Sequence, residues 1–501
     1  MYSGTPVVPD DIFGRVYEWR RLVEFVEAPI DECLVGLVYG RRRQGKTMLL
    51  ERLCEAYGGF YWQAEETEAG ENLASLSEAY SKWANGPGPI RFQNWNEAFA
   101  ALTSQRSTPT PIVIDEIGRV IAKAPAVPSQ IQRAMSPTGP ASRDNRSRLI
   151  LCGSAFGEMR RLIDGTAPLR GRASLELVVQ PFDFRTAADF WRLSANPDAA
   201  FEMYCYMGGT PAYIRFASGE RPEHGNVRDW VFRRLLDPSS ALFREGRIVI
   251  AEDGELKDQL LYWGLLGSVA HGARRWSDLE AGLGAKRGSV MHALRTTIDA
   301  GWIERRNDPL RDRRTIYELR EPVVRFHRLV IEPNEQRLLR GVPPERVWSD
   351  VEPAVASLIY GPQLEQMAYD WALVHASHET FGGVVSEVGP TALSRVVLAA
   401  DGSEIRHIDL AAVESAPNGG RRLLALGEVK AHSTRVGLSL LERLDRAVRS
   451  IEGSPRKRIA VNEPVRRVIV SRSGFTNELR RVADSRPEVV LVDLHRLYHG
   501  T

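Results

Sequence analysis

Gly40, Gly45, Lys46 and Thr47 stand in the order G-x-x-x-x-G-K-T. Glycines at these places let backbone N–H groups turn inward and cradle phosphate oxygens. The lysine then reaches the β- and γ-phosphates of a nucleotide, and the threonine hydroxyl reaches its Mg²⁺. A helix beginning at Lys46 adds its positive end to the cradle. Arg43, Gln44 and Met48 belong to the same expected ATP-binding loop. Further on, Asp115 and Glu116 follow the apolar run Ile112–Val113–Ile114. A strand there delivers both carboxylates to its carboxyl end, where parallel sheets bind ligands. Asp115 is expected beside Thr47 in the metal shell, and Glu116 on the attacking water. Ser154 ends the next apolar run and is expected at the γ-phosphate.

A second set lies near the other end of the chain. Asp409 stands in His-Ile-Asp-Leu, and Glu428 and Lys430 in Gly-Glu-Val-Lys. Residues two apart on a strand share a face, so Glu428 and Lys430 project together, next to Asp409 if the two strands pair. Asp409 and Glu428 suit a hard divalent cation such as Mg²⁺ or Mn²⁺. Lys430 would orient a hydrolytic water or stabilise developing phosphate charge. Glu365, on the preceding helix, is expected to complete the cluster. The plainer alternative is a strand carrying a salt-bridged Glu428–Lys430 pair.

The elements that position these residues are legible as hydrophobic patterns. Strand, glycine loop and helix fill 34–57, and further strands are expected at 60–64, 111–116 and 148–154. Their alternation with helices indicates a parallel sheet covered on both faces. Segment 125–145 reads as a loop, and 183–250 as helices interrupted at MGGTP. Residues 255–328 read as three helices and a hairpin, the second and third helices capped by Ser277 and Ser289. That order is a winged helix. EPNEQRLLRGVPPERVWSD reads as a linker. From 351 the expected order is helix (353–375), strands at 384–388, 406–413 and 422–430, helix (437–451), strand (466–471), helix (475–484) and strand (488–493). The domain expectation is therefore a core at 1–182, a helical lid at 183–250, a winged helix at 251–330, a linker at 331–350 and a C-terminal α/β domain at 351–501.

Composition narrows the function classes. The chain has 501 residues, 43% hydrophobic and 26% charged, with 66 Lys or Arg against 64 Asp or Glu. That composition is an ordinary globular one, and a wholesale polycation is excluded. No apolar run suits a membrane helix, and the start MYSGTPVVPDD has no secretory pattern. Four widely spaced cysteines support neither a zinc site nor a disulfide framework, so a cytoplasmic location is expected. Charge is uneven all the same. Segment 435–472 holds ten Lys or Arg and four Asp or Glu, which suits a DNA backbone or a solvated helix face. Arg287, His292 and Arg295 on the third winged-helix helix, and Arg311, Arg313 and Arg314 at the wing, suit either DNA or a protein partner.

The first 330 residues resemble the archaeal-type ATPases of the P-loop class, relatives of the AAA+ and STAND ATPases. IFGRVYEWRRL (12–22), YGRRRQGKT, VIDE, LCGS, PLRGR (168–172) and YMGGTPAY (206–213) carry the resemblance. It implies Phe13, Gly14, Arg15 and Glu18 beside the adenine, and Gly208, Gly209 and Pro211 in a lid turn. It makes Arg172 an arginine finger or a γ-phosphate contact. Trp19 stands where the family usually has an aliphatic residue. The C-terminal segment resembles the PD-(D/E)xK nuclease superfamily through Asp409, Glu428 and Lys430, with Glu365 as the leading-helix glutamate. GPQLEQMA, HIDL, GEVK and SRSGFT also resemble the domain that follows the winged helix in many archaeal-type ATPases. Together these imply an ATP-driven switch gating a Mg²⁺-dependent DNA nuclease, in a homo-oligomer or with a partner protein; by analogy of architecture they imply a role in defence against mobile DNA. The second reading is a nucleotide-dependent binding or scaffolding protein with an inert nuclease-like domain.

Overall fold

The computed structural model describes residues 7–85, 88–104, 106–135, 145–252, 258–399, 401–415, 419–452 and 459–501. Parts of the expected 125–145 loop, the start of the first winged-helix helix and part of the basic 435–472 segment lie outside them.

Five apolar segments form the first sheet: β1 (Leu34–Tyr39), β2 (Phe60–Gln63), β3 (Thr110–Asp115), β4 (Ser147–Gly153) and β5 (Ala173–Val178). They are all parallel, in the order β2-β3-β4-β1-β5. β1, β3 and β4 are buried almost throughout, as continuous apolar strands between two helical layers must be. One layer holds Trp19, Leu22, Leu50 and Leu53, and the other Phe99, Ile117, Val120 and Ile131. Arg148 in β4 is fully buried. It donates to the carbonyls of Val26, Ala28, Ile30 and Glu32, which fixes the chain entering β1. β5 was not among the expected strands. Residues Val127–Ala134, expected as loop, form a helix.

Helices Phe184–Trp191 and Pro197–Met207 begin the lid, capped by Asp183 and Asn196 side chains. Three helices, Gln259–Ala270, Trp276–Leu283 and Arg287–Asp299, then lead into the hairpin β6 (Ile303–Asn307) and β7 (Thr315–Leu319). The expected serine caps are not used. The second and third helices start one and two residues earlier than their serines, at Trp276 and Arg287.

The expected linker is helical. Helix Pro322–Phe326 runs through a wide turn at His327–Ile331 into Glu332–Leu339, and Pro344–Val355 continues to Gly361–Asp370. Proline in the first turn costs no hydrogen bond, and Leu338, Val347 and Trp348 bury one face.

The second sheet contains β8 (Glu387–Leu398), β9 (Glu404–Ser415), β10 (Arg421–Lys430), β11 (Ile459–Ser471) and β12 (Val489–Asp493), in the order β12-β11-β10-β9-β8. β8, β9 and β10 are antiparallel neighbours, whereas β10, β11 and β12 run parallel. One continuous core runs from Phe184, through the three helices and hairpin of 259–319, to Leu424, Val470 and Tyr498. The helices after β5, this three-helix and hairpin segment and one face of the C-terminal sheet therefore pack as a single arm.

Candidate nucleotide site and C-terminal carboxylate site

The loop after β1 turns on two glycines. Gly40 has φ +153°, and a Cβ there would meet Val179 O at 2.3 Å; Gly45 has φ +84°. No other residue fits both places. Lys46 opens the next helix, and its Nζ donates to Gly40 O at 2.6 Å and Arg41 O at 2.9 Å. Those bonds fold the lysine back over its own loop, where the phosphates would lie. Thr47 Oγ1 donates to Asp115 Oδ2 at 2.9 Å. Tyr61 OH donates to the same oxygen at 2.8 Å, and Glu116 N–H to Oδ1 at 2.8 Å. A hydroxyl beside a carboxylate, hydrogen-bonded and facing a cleft, is a donor set that fits Mg²⁺. Thr47 and Asp115 would hold the ion, whose charge would neutralise the phosphates. Glu116 has φ +52°, uncommon for a residue with a Cβ and associated with functional sites. Ser154 Oγ donates to Glu116 Oε2 at 3.1 Å.

Lys46, Thr47 and Glu116 face a cleft of about 730 Å³, lined also by Phe13, Arg15, Arg42, Arg43, Gln44, Gly45 and Met48, with Asp115 buried behind Thr47. Ser154 lies in an adjoining cavity of about 470 Å³, which Arg42 and Glu116 also line. Phe13 is partly exposed and packs on Phe182 and Phe190, an aromatic surface for a base. Gly14, φ +65°, lies where a Cβ would meet Thr186 Cγ2 at 2.7 Å.

Several expected contacts are redirected. Arg15 donates to Glu18, Gln180 O and Gln44 O and stacks on Phe182, so its guanidinium braces the loop at the edge of the cleft that it lines. Gln44 Nε2 donates to Thr210 Oγ1 in the lid at 3.0 Å. Arg43 pairs with Glu245 and Glu252, both at 3.1 Å. Burial pushes the Glu245 carboxyl up to about 7. Arg172 immediately precedes β5, and Val35 pairs with Ala173 while Tyr39 pairs with Val178. Arg172 thus stands at the end of the sheet opposite the phosphate loop, which removes the γ-phosphate contact within one chain and leaves the finger reading.

In the C-terminal sheet the ladder between β9 and β10 ends at Leu410 and Gly427. One residue further on, Val429 N–H donates to Asp409 Oδ2 at 3.0 Å. Lys430 Nζ reaches Asp409 Oδ2 at 2.9 Å and Glu428 Oε2 at 2.5 Å. Glu428 is 3% exposed; its Oε1 accepts no hydrogen bond and faces Arg443 Nε in an ion pair 3.7 Å long. Burial, reinforced by the Asp409 charge, pushes the Glu428 carboxyl up to about 7. Two carboxylates around one ammonium, one with a buried oxygen that accepts no hydrogen bond, fit a divalent cation. Asp409 and Glu428 would hold it, and it would activate water.

Glu365, expected to complete this cluster, is near enough to feel the Asp409 charge but is held by a guanidinium. Its Oε2 accepts from Arg274 Nη1 at 2.7 Å, a residue of the winged helix. Burial pushes the Glu365 carboxyl up to about 6. Among the described residues no group of three or more His, Cys, Asp or Glu is placed to hold a metal. The helix that carries Glu365 still touches the site, because Tyr369 OH donates to Asp409 O at 2.7 Å.

The wing is not free. Leu310 at its tip is 3% exposed inside the C-terminal core, a burial that contributes about 1.5–3 kcal/mol. Arg311 donates to Leu393 O, Arg314 faces Asp308 at 3.9 Å, and Arg421 holds Asp312 at 2.7 Å. Arg311 is therefore a docking residue, whereas Arg314 pairs within the hairpin itself and Arg313 stays exposed. On the third helix His292 and Arg295 are exposed, as is Arg287.

Tyr61, Glu245, Glu252 and Glu321 join the nucleotide site without any sequence signal. Each gets there through a pairing between distant elements.

A parallel sheet with this loop, lysine and Thr47–Asp115 pair defines a P-loop nucleotide-binding fold. Residues 12–216 match the family described as an ATPase domain predominantly from Archaea. No curated protein matches the chain. Similar solved structures include a Walker-type ATPase of Pyrococcus abyssi, 19% identical, covering 65% of this chain and 99% of that one with a TM-score of 0.49. The Aeropyrum pernix ORC2 protein in ADPNP–ADP complexes is 14% identical, covering 70% and 98%, TM-score 0.41. The Aeropyrum pernix ORC1 protein in complex with DNA is 16% identical, covering 66% and 95%, TM-score 0.31. Among the described residues no helix is long and apolar enough to cross a membrane.

Proposed function

We propose that the chain binds and hydrolyses ATP with Mg²⁺, and that the nucleotide sets the position of the arm made by lid, winged helix and C-terminal domain. The observation that carries this is the 2.9 Å contact of buried Asp115 with Thr47, which itself lines one cleft with Lys46 and Glu116. Lys46 binds phosphate, Thr47 and Asp115 orient the metal, and Glu116 takes the proton of the attacking water while Ser154 fixes its carboxylate. ATP turnover by wild type, lost in Lys46→Ala with its phosphate affinity, tests it.

The C-terminal domain is proposed as a metal-dependent nuclease acting on DNA in the cytoplasm, in a homo-oligomer or with a partner protein. Support comes from an antiparallel three-strand meander extended by two parallel strands, with Asp409 and Glu428-x-Lys430 adjacent at its break. Defence against foreign DNA is consistent with that pairing of activities. Cleavage of duplex, single-stranded and branched DNA with Mg²⁺ or Mn²⁺, with and without ATP, tests it.

The second reading is a nucleotide-dependent DNA- or protein-binding regulator with an inert nuclease-like domain. The Arg274–Glu365 contact favours it, since a guanidinium occupies the carboxylate expected in the metal cluster.

A further inference from the structure

Three consecutive arginines fill the phosphate loop, and their surroundings differ. Arg41 is buried, pairs with Glu321 at 2.7 Å and stacks on Trp302 at 4.7 Å. Arg43, half-buried at the edge of the nucleotide cleft, is paired with both Glu245 and Glu252. Arg42 keeps 38% of its side chain exposed, and its ion pair with Glu252 Oε2 is 4.0 Å long. Arg43 approaches that same oxygen at 3.1 Å, so Glu252 is already neutralised and holds Arg42 loosely.

Position separates Arg42 further. It lines the nucleotide cleft together with Lys46, Thr47 and Glu116, and it lines the adjoining cavity together with Glu116, Gly153 and Ser154. The two spaces meet beside Glu116, the group that would hold the attacking water. Arg119 borders both as well, but its Nη1 is donated to Ala64 O at 2.9 Å. Arg172 lies at the far end of the sheet.

We propose that Arg42 is a catalytic residue: it is the cation that stabilises the γ-phosphoryl group during transfer, and the chain that binds the nucleotide supplies it. The proposal rests on the ATP-hydrolysis reading above. In the step, the water oxygen forms a bond to Pγ while the bond from Pγ to the β–γ bridging oxygen breaks. The electron pair leaves with that oxygen to give ADP, the water proton passes to Glu116, and inorganic phosphate is released. Negative charge grows on the bridging oxygen and spreads over the equatorial oxygens. A guanidinium on the loop that wraps these phosphates meets that charge with two parallel donors.

The test compares wild type, Arg42→Ala, Arg42→Lys, Arg119→Ala and Arg172→Ala. It measures turnover at saturating Mg-ATP, fluorescent ADP binding, and capture of ADP with aluminium fluoride. Arg42→Ala should lose about 10³-fold or more in kcat, the range of an arginine finger. It should keep ADP affinity within a few-fold, which also shows that it is folded, and fail to capture aluminium fluoride. Arg42→Lys should fall between, because a point charge lacks the fork. Turnover per wild-type chain should be constant on dilution to monomers. Wild-type turnover by Arg42→Ala overturns the proposal, as does a loss confined to nucleotide affinity. So does a kcat loss seen in Arg119→Ala or Arg172→Ala and absent from Arg42→Ala. No turnover by wild type overturns both this proposal and the hydrolysis reading, whereas normal wild-type turnover with an unaffected Arg42→Ala overturns this proposal alone.

Discussion

Arg41 of the phosphate loop and Glu321, at the head of the helix Pro322–Phe326, form a buried ion pair 2.7 Å long. Tyr213 OH donates to the other carboxylate oxygen at 3.2 Å. The neighbouring Arg320 lies 2.9 Å from Glu304 and 3.9 Å from Asp370. Asp370 in turn follows Tyr369, which bonds the Asp409 carbonyl. Two buried or half-buried ion pairs and one hydrogen bond, linked through the adjacent residues 320–321 and 369–370, thus lie between the phosphate loop and the C-terminal carboxylate site.

Removing one partner of a buried pair strands the other charge. Glu321→Ala should therefore destabilise the protein by about 3–5 kcal/mol, whereas a packed apolar pair is often neutral. The double variant Arg41→Met with Glu321→Leu should recover most of the lost melting temperature. A double variant no more stable than Glu321→Ala would show that the pair itself, and not the stranded charge, sets the cost.

Glu245 keeps its proton up to about pH 7, because burial penalises the carboxylate more than Arg43 favours it. The unfolded chain loses that proton near the ordinary glutamate value of about 4.3. Between those values the folded state binds more protons, so this contribution to stability is full in acid and is lost as pH rises towards 7. Glu245→Gln should flatten the fall in melting temperature between pH 5 and 7. An unchanged slope would place the titrating group elsewhere.

Much of this arrangement was legible in the chain, and what was missed has physical causes. β1, β3 and β4 are buried on both faces, so they read as apolar runs ending in Gly40, Asp115 and Ser154. β5 lies at the sheet edge and its exposed positions interrupt the pattern, Glu176 among them. The 331–350 segment resembles a linker through its prolines and charges; Leu338, Val347 and Trp348 become a buried face only because the arm supplies a core. Asp409, Glu428 and Lys430 come together because strand alternation and antiparallel pairing are local rules. The partners of Glu365, Arg41 and Arg43 are set by how the winged helix and lid pack, and no spacing encodes that.

Asp409→Asn or Glu428→Gln takes one metal ligand from the C-terminal site, so DNA cleavage should fall by orders of magnitude. Lys430→Ala should keep Mn²⁺ binding and lose most of the rate. ATP turnover should stay within a few-fold of wild type in all three. Equal cleavage by wild type and Glu428→Gln from identical preparations would mean a contaminant, and no cleavage by wild type on any substrate would favour the inert module.

If the chain binds DNA as proposed, docking of the hairpin tip on the C-terminal sheet leaves the helix Arg287–Asp299 as the contact. Charge reversal at Arg287 and Arg295 should weaken DNA binding and flatten its salt dependence, since fewer counterions are released. Reversal at Arg311 should lower the melting temperature instead, through its bond to Leu393 O. A salt slope unchanged by the helix variants would make that helix a protein-docking face.

The central claim is that Lys46, Thr47, Asp115 and Glu116 form one ATP-hydrolysing centre. The most direct measurement is ATP binding and turnover by wild type, Lys46→Ala and Glu116→Gln, prepared side by side. Wild type should bind and turn over ATP with Mg²⁺. Lys46→Ala should lose turnover and most phosphate affinity, and Glu116→Gln should bind ATP as wild type does while hydrolysing it slowly. Hydrolysis at the wild-type rate in both variants, or no ATP binding by wild type, would contradict the account.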